Sequence, residues 1–201
     1  MRVGVFGGTF DPVHLGHLIL AECCREEARL DQVLFVPASV PPHKRDQSLA
    51  PFAQRVAMLA LAIAGHPAFG IDELEKDRAG PCFTVDTLQQ LKDARPGDEL
   101  CFLLGSDSLR DFPTWRQPAR IVELAELLVV ARTGSPIRAA SELQQQLRLG
   151  SDVPIRIRAI TAPAVEIASS DLRRRIADGR SIRYQVPRAV EAYIADKGLY
   201  V

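Results

Sequence analysis

Two histidines, His14 and His17, stand three positions apart near the start of the chain, within GGTFDPVHLGH. An imidazole N–H can donate a hydrogen bond to a phosphate oxygen, and residues three apart share one face of a helix. Gly7 and Gly8 precede them, and glycine lets the main chain approach a ligand without a Cβ in the way. A lone histidine is more often a turn or core residue, but this pair behind a Gly-Gly turn favours a phosphate site.

A second candidate anion site lies near the C-terminus, in EIASSDLRRRI. Ser169 or Ser170 is expected to cap a helix there, which leaves the first main-chain N–H groups for an anion. Arg173 then lies one turn into the helix, where its guanidinium can reach the same anion. Taken alone, the stretch is better explained as an ordinary capped helix with a solvated basic face.

A third stretch, Gly105-Ser106-Asp107, follows the apolar run ELCFLL. A carboxylate at the end of a strand can accept hydrogen bonds from ribose hydroxyls. The signal is weak by itself, because glycine and aspartate are also common turn residues.

The alternation of predicted elements explains how these stretches can meet. We predict strands at 2–6, 32–37, 69–72, 99–104, 127–131 and 154–160, and helices at 15–30, 52–64, 84–92, 118–124, 170–177 and 187–194. This order is typical of an α/β, doubly wound, Rossmann-like fold, a mostly parallel sheet with helices on both faces. Ligands of such sheets bind beyond the carboxyl ends of the strands, where the glycine-rich stretches fall.

Composition limits the classes of partner. The 201 residues include 25 Lys and Arg against 25 Asp and Glu, a balance that disfavours nucleic acid. The four cysteines form no C-x-x-C pair, so neither a zinc site nor a disulfide framework is expected. No signal-peptide pattern opens the chain and no apolar run approaches ~18 residues, so we expect a cytoplasmic protein without membrane contact.

Taken together, the motifs resemble a known enzyme family. HLGH is similar to the H-x-G-H signature of the nucleotidyltransferases distantly related to class I aminoacyl-tRNA synthetases, and IASSDLR to their second signature, usually I-S-S-T-x-I-R. Further stretches, VPPHK, FTVDTL, GSDSL, FPTW and the terminal KGLY, resemble the bacterial nicotinate mononucleotide adenylyltransferases. The likeness runs from Val5 to Tyr200 and leaves out only about 133–152.

The resemblance implies one nucleotidyltransferase domain over 1–201, with the helical part from about 165 carrying the second ATP motif. It implies transfer of AMP from ATP to nicotinate mononucleotide, giving deamido-NAD and pyrophosphate in NAD biosynthesis. The implied catalytic residues are His14, His17 and Arg173. The implied ATP contacts are Gly8, Thr9, Phe10, His14, His17, Gly105, Asp107, Ile167, Ser170 and Arg173. The implied mononucleotide contacts are Ser39, Lys44, Thr84 and Trp115, and Thr84 is also expected to cap the helix of FTVDTLQQLKD. Mg²⁺ is expected mainly on the ATP phosphates, with no metal site built from side chains.

The chain departs from the family pattern in three places. Ala168 stands where the second signature has its first serine, Ala38 where an asparagine is common, and Cys82-Phe83 where Ser-Tyr is frequent. Three alternatives remain: a phosphopantetheine adenylyltransferase, an enzyme that takes both pyridine mononucleotides, and a non-catalytic nucleotide sensor. FPTW argues against the first, and the presence of both His17 and Arg173 against the last.

Overall fold

A computed structural model describes residues 1–40, 49–78, 80–131, 140–150 and 154–201. Within these ranges it contains one parallel sheet of six strands in the order β3-β2-β1-β4-β5-β6. The strands are β1 (Arg2–Gly8), β2 (Gln32–Pro37), β3 (Phe69–Ile71), β4 (Glu99–Gly105), β5 (Ala125–Val130) and β6 (Ile157–Ile160). The doubly wound parallel sheet expected from the sequence is confirmed.

Helices connect the strands. They are α1 (Leu15–Glu27), α2 (Phe52–Ile63), α3 (Thr84–Ala94), α4 (Ser106–Asp111), α5 (Pro118–Leu124), α6 (Ala140–Gln146), α7 (Ser169–Ala177) and α8 (Arg188–Asp196). A 3-10 turn, Phe112–Thr114, follows α4. No helix among the described residues is long and apolar enough to cross a membrane.

Both faces of the sheet are covered. Alternate side chains of a strand enter opposite layers, so Phe35 of β2 packs in one core cluster while Leu34 and Val36 pack in the other. The runs VLFVP of β2 and LCFLL of β4 are therefore apolar throughout rather than alternating, as expected of a parallel sheet buried on both sides.

The strand order reverses at β1. From β1 the chain winds outward through β2 to β3, and it then returns to the other side of β1 to form β4. The connections leave β1 and β4 in opposite directions, which opens a crevice at their carboxyl ends, the usual ligand site of such sheets. Gly8 ends β1 and Gly105 ends β4, so both glycine-rich stretches border this crevice.

Some predicted bounds were wrong. No helix was predicted between β4 and α5, but α4 begins directly at Ser106, because Gly105 adopts the extended conformation of a residue that precedes a helix. Helix α1 ends at Glu27 rather than at residue 30, since Arg29 has a φ of +52°. Strand β5 begins two residues earlier than expected, at Ala125, and β6 begins later, at Ile157.

Candidate active site

The two histidines lie at the start of α1 and touch each other. His14 is the extended residue that precedes the helix, and its main-chain N–H donates to Nδ1 of His17 at 3.2 Å. The two imidazole rings stack with centroids 3.6 Å apart and planes 25° apart. Since Nδ1 of His17 accepts this hydrogen bond, the proton of the neutral ring lies on Nε2. The two rings lie together, but only His17 is in the helix, so the shared helix face expected from the spacing is not what joins them.

Gly16, between the histidines, is required by close packing. A Cβ at this position would lie 3.1 Å from Nδ1 and 3.2 Å from Cε1 of His14. Any larger residue would therefore push the His14 ring away from its position. The glycine of the H-x-G-H motif therefore has a steric role, because it leaves room for the His14 ring.

A cavity of about 270 Å³ lies beside His14 and is called the histidine cavity here. Its walls come from the start of α1, the carboxyl end of β5 and the segment that leads into α7. The lining residues are His14, Gly16, Ile19, Leu20, Val130, Ala131, Ala162, Pro163, Ala164, Val165, Glu166, Ile167, Ala168 and Asp171. Of the residues expected to bind ATP, it therefore brings His14 and Ile167 together.

A second cavity, of about 250 Å³, lies beyond β1 and is called the tryptophan cavity. Its lining residues are Gly7, Gly8, Thr9, Val36, Ala38, Glu75, Cys82, Phe83, Thr84, Phe102, Thr114, Trp115, Arg116 and Ile121. Trp115 is held by Phe102 and Phe112, whose ring centroids are 6.0 and 5.3 Å from its own. The structure thus brings Thr84 and Trp115 together, but it puts Gly8 and Thr9 with them rather than in the histidine cavity.

Thr84 was expected to cap α3, and this is wrong. The residue that precedes the helix is Phe83, and Thr84 is the first helical residue, whose hydroxyl is past the position from which it can cap the first turn. The N-terminus of α3 still lines the tryptophan cavity through Phe83 and Thr84. Asp86 is exposed. The Arg116 guanidinium carbon lies 4.6 Å from the centre of the Phe83 ring, which adds positive charge at this helix end.

The serine cap predicted for α7 is also wrong. Ala168 is the residue that precedes the helix, and Ser169 and Ser170 are already helical. Ser169 instead donates from its hydroxyl to the main-chain oxygen of Pro12, at 3.0 Å. This bond ties the start of α7 to the loop that leads into the two histidines. Ser170 is exposed in the first turn.

Arg173 of α7 turns toward the same loop. Its Nη1 donates to the main-chain oxygen of Asp11 at 2.7 Å and lies 3.6 Å from Oδ2 of that residue. Asp11 is fully buried, and its Oδ1 accepts a hydrogen bond from the Tyr200 hydroxyl at 2.7 Å. Burial and this carboxylate raise the pKa of Tyr200, so the phenol remains a donor at neutral pH.

A second guanidinium, that of Arg55, is buried beside Asp11. It donates to the main-chain oxygens of Thr9 and Ala38, both at 2.8 Å, and to that of Ala50 at 3.0 Å. Burial lowers the pKa of Arg55, while the Asp11 carboxylate acts in the opposite direction. Arg55 therefore links the turn after β1 to the turn after β2 through hydrogen bonds to both main chains.

The remaining expected site residues are spread around the crevice. Phe10 is buried in the core against His17, with a φ of +48°, so only its main chain can meet a ligand. Gly105 ends β4, and Asp107 lies in the first turn of α4. Ser39 follows β2, and its hydroxyl donates to the main-chain oxygen of Lys76 at 3.4 Å. Lys44 lies outside the described residues.

Sequence reasoning gave no role to Asp11, Arg55 or Tyr200. Asp11 stands inside GGTFDPVHLGH and Tyr200 inside KGLY, so both were part of quoted motifs, but their contact spans 189 positions. The described residues contain no group of three or more His, Cys, Asp or Glu that could hold a metal ion. Burial raises the pKa of Cys82 in the tryptophan cavity, so this thiol is a poor nucleophile at neutral pH.

A family model described as cytidylyltransferase-like matches residues 5–175. A protein of Thermomicrobium roseum named "Probable nicotinate-nucleotide adenylyltransferase" is 50% identical over 199 residues, covering 99% of this chain and 91% of the relative. A protein of the same name from Thermus thermophilus is 46% identical over 200 residues, with all of both chains covered.

Solved structures share the fold. The Plasmodium falciparum nicotinic acid mononucleotide adenylyltransferase complexed with NaAD has a TM-score of 0.81 at 20% identity, covering 99% of this chain and 97% of that one. The same Plasmodium falciparum enzyme complexed with APC has a TM-score of 0.79 at 19% identity.

Proposed function

This chain belongs to the cytidylyltransferase-like family and to the nicotinate-nucleotide adenylyltransferases, and we propose that it transfers AMP from ATP to nicotinate mononucleotide. The products are deamido-NAD and pyrophosphate, as one step of NAD biosynthesis. One observation carries the assignment: the histidine cavity and the tryptophan cavity flank the single loop that joins β1 to α1. Each substrate then has its own cavity, and the two phosphates meet at the histidines.

The linings support one cavity for each substrate. The tryptophan cavity offers an indole that is edge-on to Phe102 and tilted to Phe112, and a pyridine ring can stack on its face. The histidine cavity is lined by residues 162–168, and peptide groups of such a segment can pair with the edge of an adenine. ATP therefore takes the histidine cavity and the mononucleotide takes the tryptophan cavity.

The reaction needs no general base. The second pKa of a phosphate monoester is about 6, so the attacking phosphate of the mononucleotide is already mostly ionised at neutral pH. One of its oxygens bonds to the α-phosphorus of ATP. The bond from that phosphorus to the bridging oxygen breaks, and pyrophosphate leaves with the electron pair. Catalysis is then positioning and stabilisation of the charge on the oxygens of the α-phosphoryl group.

His17 is the donor to the α-phosphate in this mechanism. Nδ1 of His17 accepts from the main-chain N–H of His14, so the donor that we assign to the substrate is the Nε2–H group. His14 stacks on this ring and lines the histidine cavity, where it donates to the phosphates of ATP.

The β- and γ-phosphates are held by Arg173 and by the N-terminus of α7, with Ser170 in its first turn. Because Ala168 has no side-chain acceptor, it cannot occupy the first N–H groups of that helix, which are left for an anion. The departure from the family signature at this position is therefore compatible with phosphate binding.

The remaining roles follow the expectations from the motifs. Lys44 contacts phosphate as a point charge, and Gly105 with Asp107 holds a ribose. Ser39 meets the mononucleotide, while Gly8, Thr9 and Phe10 act through their main chain at the loop shared by both cavities. We treat residues 1–201 as one nucleotidyltransferase domain, and its cytoplasmic location stays a prediction.

A divalent metal enters with ATP in this family, and we propose Mg²⁺. The described residues offer no ready-made cluster of side-chain ligands, and Mg²⁺ commonly keeps its waters and binds substrate phosphates. When bound, the ion would neutralise part of the polyphosphate charge. Arg173 and the two histidines donate to phosphate oxygens in this proposal.

Pyrophosphate release decides between the acceptors. Wild-type protein is mixed with ATP and Mg²⁺ and, in separate reactions, with nicotinate mononucleotide, nicotinamide mononucleotide or phosphopantetheine. We expect the fastest release with nicotinate mononucleotide. Equal rates with both pyridine mononucleotides would make the chain a dual-specificity enzyme, release with phosphopantetheine alone would overturn the assignment, and no release with any acceptor would leave a nucleotide sensor.

A further inference from the structure

The C-terminal part of the chain contacts the loop that joins β1 to α1. Tyr200 is the next-to-last residue, and its hydroxyl donates to Oδ1 of Asp11 at 2.7 Å. Asp11 is fully buried in the loop between the Gly-Gly turn and the histidines. The last residues therefore contact the loop that both substrates share.

The two oxygens of Asp11 are used differently. Oδ1 accepts from Tyr200 and also from the main-chain N–H of Ala50, at 3.2 Å. Oδ2 is buried and receives no hydrogen bond from the described residues, and its cationic neighbour is Nη1 of Arg173 at 3.6 Å. The carboxylate thus faces Arg173 with one oxygen only.

Arg173 is held in turn through one nitrogen. Nη1 donates to the main-chain oxygen of Asp11, and no hydrogen bond joins Nε or Nη2 to another residue in the described ranges. An arginine and a carboxylate otherwise favour a bidentate pair that uses two nitrogens and two oxygens. That pair is blocked here, because Oδ1 is already filled by two donors.

The neighbouring Arg55 cannot replace Arg173 at Oδ2. Its donors go to main-chain oxygens of the turns around it, those of Thr9, Ala38 and Ala50. It contributes positive charge beside Asp11 without a side-chain hydrogen bond to it. The orientation of the Arg173 guanidinium therefore depends on which donors bind the two carboxylate oxygens of Asp11.

We propose that Tyr200 is a positioning residue for adenylyl transfer. Because the Tyr200 hydroxyl donates to Oδ1 of Asp11, that oxygen does not pair with Arg173. Only Nη1 of Arg173 then contacts Asp11, and its other nitrogens can donate to the polyphosphate of ATP. Without the hydroxyl, Arg173 closes a bidentate pair with Asp11 and turns away from the substrate. This inference rests on the phosphate role proposed above for Arg173.

The test compares Tyr200→Phe with Tyr184→Phe in the full chain. Tyr184 is 84% exposed and lies in the same C-terminal part, so the second variant controls for loss of a phenol hydroxyl. We expect Tyr200→Phe to raise the KM for ATP about tenfold, the effect of one hydrogen bond to a charged group, with the KM for the mononucleotide unchanged. Tyr184→Phe should match wild type in both constants. Equal increases in both KM values for Tyr200→Phe, or no increase, would overturn the proposal.

A double-mutant cycle with Arg173→Ala separates positioning from a general loss of structure. Once Arg173 is absent, Tyr200→Phe should have no further effect on the KM for ATP. Independent, multiplying effects would mean that Tyr200 acts by another route. Thermal unfolding of each variant sets an assay temperature at which all are folded.

A binding measurement keeps this inference separate from the identity of the acceptor. The dissociation constant of α,β-methylene-ATP is measured by calorimetry for wild type and Tyr200→Phe without any acceptor. About tenfold weaker binding supports the role of Tyr200 even if nicotinate mononucleotide is not the substrate. Unchanged binding together with an unchanged KM for ATP rejects it even if that substrate is right.

Discussion

The imidazole rings of His14 and His17 stack with centroids 3.6 Å apart, while the main-chain N–H of His14 donates to Nδ1 of His17. The two contacts together fix the ring of His17 and the nitrogen that carries its proton. His14 is therefore part of what orients His17, besides lining the histidine cavity itself. A main-chain donor does not change its protonation with pH, so the tautomer is held by a group that stays constant.

Removal of the His17 imidazole tests the mechanism. His17→Ala should lower kcat by about 10²–10³, the usual loss when one donor to a developing charge is removed. The fold should persist, because the ring lies half-buried at the first turn of α1 rather than in the core. Pyrophosphate release and circular dichroism check the two statements. His66→Ala removes an imidazole from a surface pair with Glu22 and should retain wild-type kcat. A folded His17→Ala protein with wild-type turnover would contradict the mechanism.

The steric role of Gly16 predicts a catalytic loss without a large change in stability. Gly16→Ala puts a Cβ 3.1 Å from Nδ1 of His14, so that ring and the one stacked on it must shift. We expect kcat to fall about tenfold, since small misplacements near reacting groups are costly. The free energy of unfolding should change by less than ~1 kcal/mol, because alanine is favoured within a helix.

The control for Gly16→Ala is Gly97→Ala, because a Cβ at residue 97 meets nothing within 4 Å. It should leave kcat unchanged. Equal kcat for both variants would mean that the position of the His14 ring does not limit the reaction.

Loss of Arg173 should separate the two substrates. Arg173→Ala is expected to raise the KM for ATP far more than the KM for the mononucleotide, because its guanidinium serves the β- and γ-phosphates alone. Arg174→Ala is the matched control, since Arg174 is 72% exposed and pairs with Asp171 at the surface. Steady-state kinetics with each substrate varied in turn gives both constants. Similar losses for the two substrates would remove Arg173 from the role proposed here.

The sheet could be predicted from the sequence because its signals are local. QVLFVP and ELCFLL are apolar runs of strand length, and both strands begin where expected. Pro118 opens α5 as predicted, since proline fits the first turn of a helix. The residues that precede α3 and α7 could not be identified in this way, because Phe83 and Ala168 carry no capping side chain and so give no local signal.

The contacts of Asp11 were beyond sequence reasoning for a different reason. Arg55, Arg173 and Tyr200 lie 44, 162 and 189 positions away from it, so no periodicity or short motif joins them. The motif spacing does predict the histidine pair, whose partners are three residues apart. What the sequence predicts well is therefore contact within one turn or one strand, and what it misses is a buried charge shared between distant loops.

The Trp115 indole should matter to one substrate only. Trp115→Ala removes the flat wall of the tryptophan cavity, so the KM for nicotinate mononucleotide should rise about tenfold or more, the scale of a lost aromatic contact and its buried area. The KM for ATP should stay near wild type. Phe112→Leu is the companion variant, because it keeps the indole but removes an aromatic ring that packs against it. It should raise the KM for nicotinate mononucleotide less than Trp115→Ala does. An increase confined to ATP would mean that the two cavities had been assigned to the wrong substrates.

Preference for nicotinate over nicotinamide should follow from the charge at one end of the tryptophan cavity. The N-terminus of α3, with its positive dipole end, lines this cavity through Phe83 and Thr84, and the Arg116 guanidinium lies over the Phe83 ring beside it. A carboxamide presents its NH₂ group to one of these donors and leaves it unpaired, which costs about 1–3 kcal/mol, or roughly 5- to 150-fold in kcat/KM. Arg116→Gln should reduce that ratio by lowering activity on the acid alone, whereas Arg120→Gln, on the exposed side of α5, should not change it. The measurement is kcat/KM for both mononucleotides at fixed ATP. A wild-type ratio near one would mean that the cavity recognises only the ring and the phosphate.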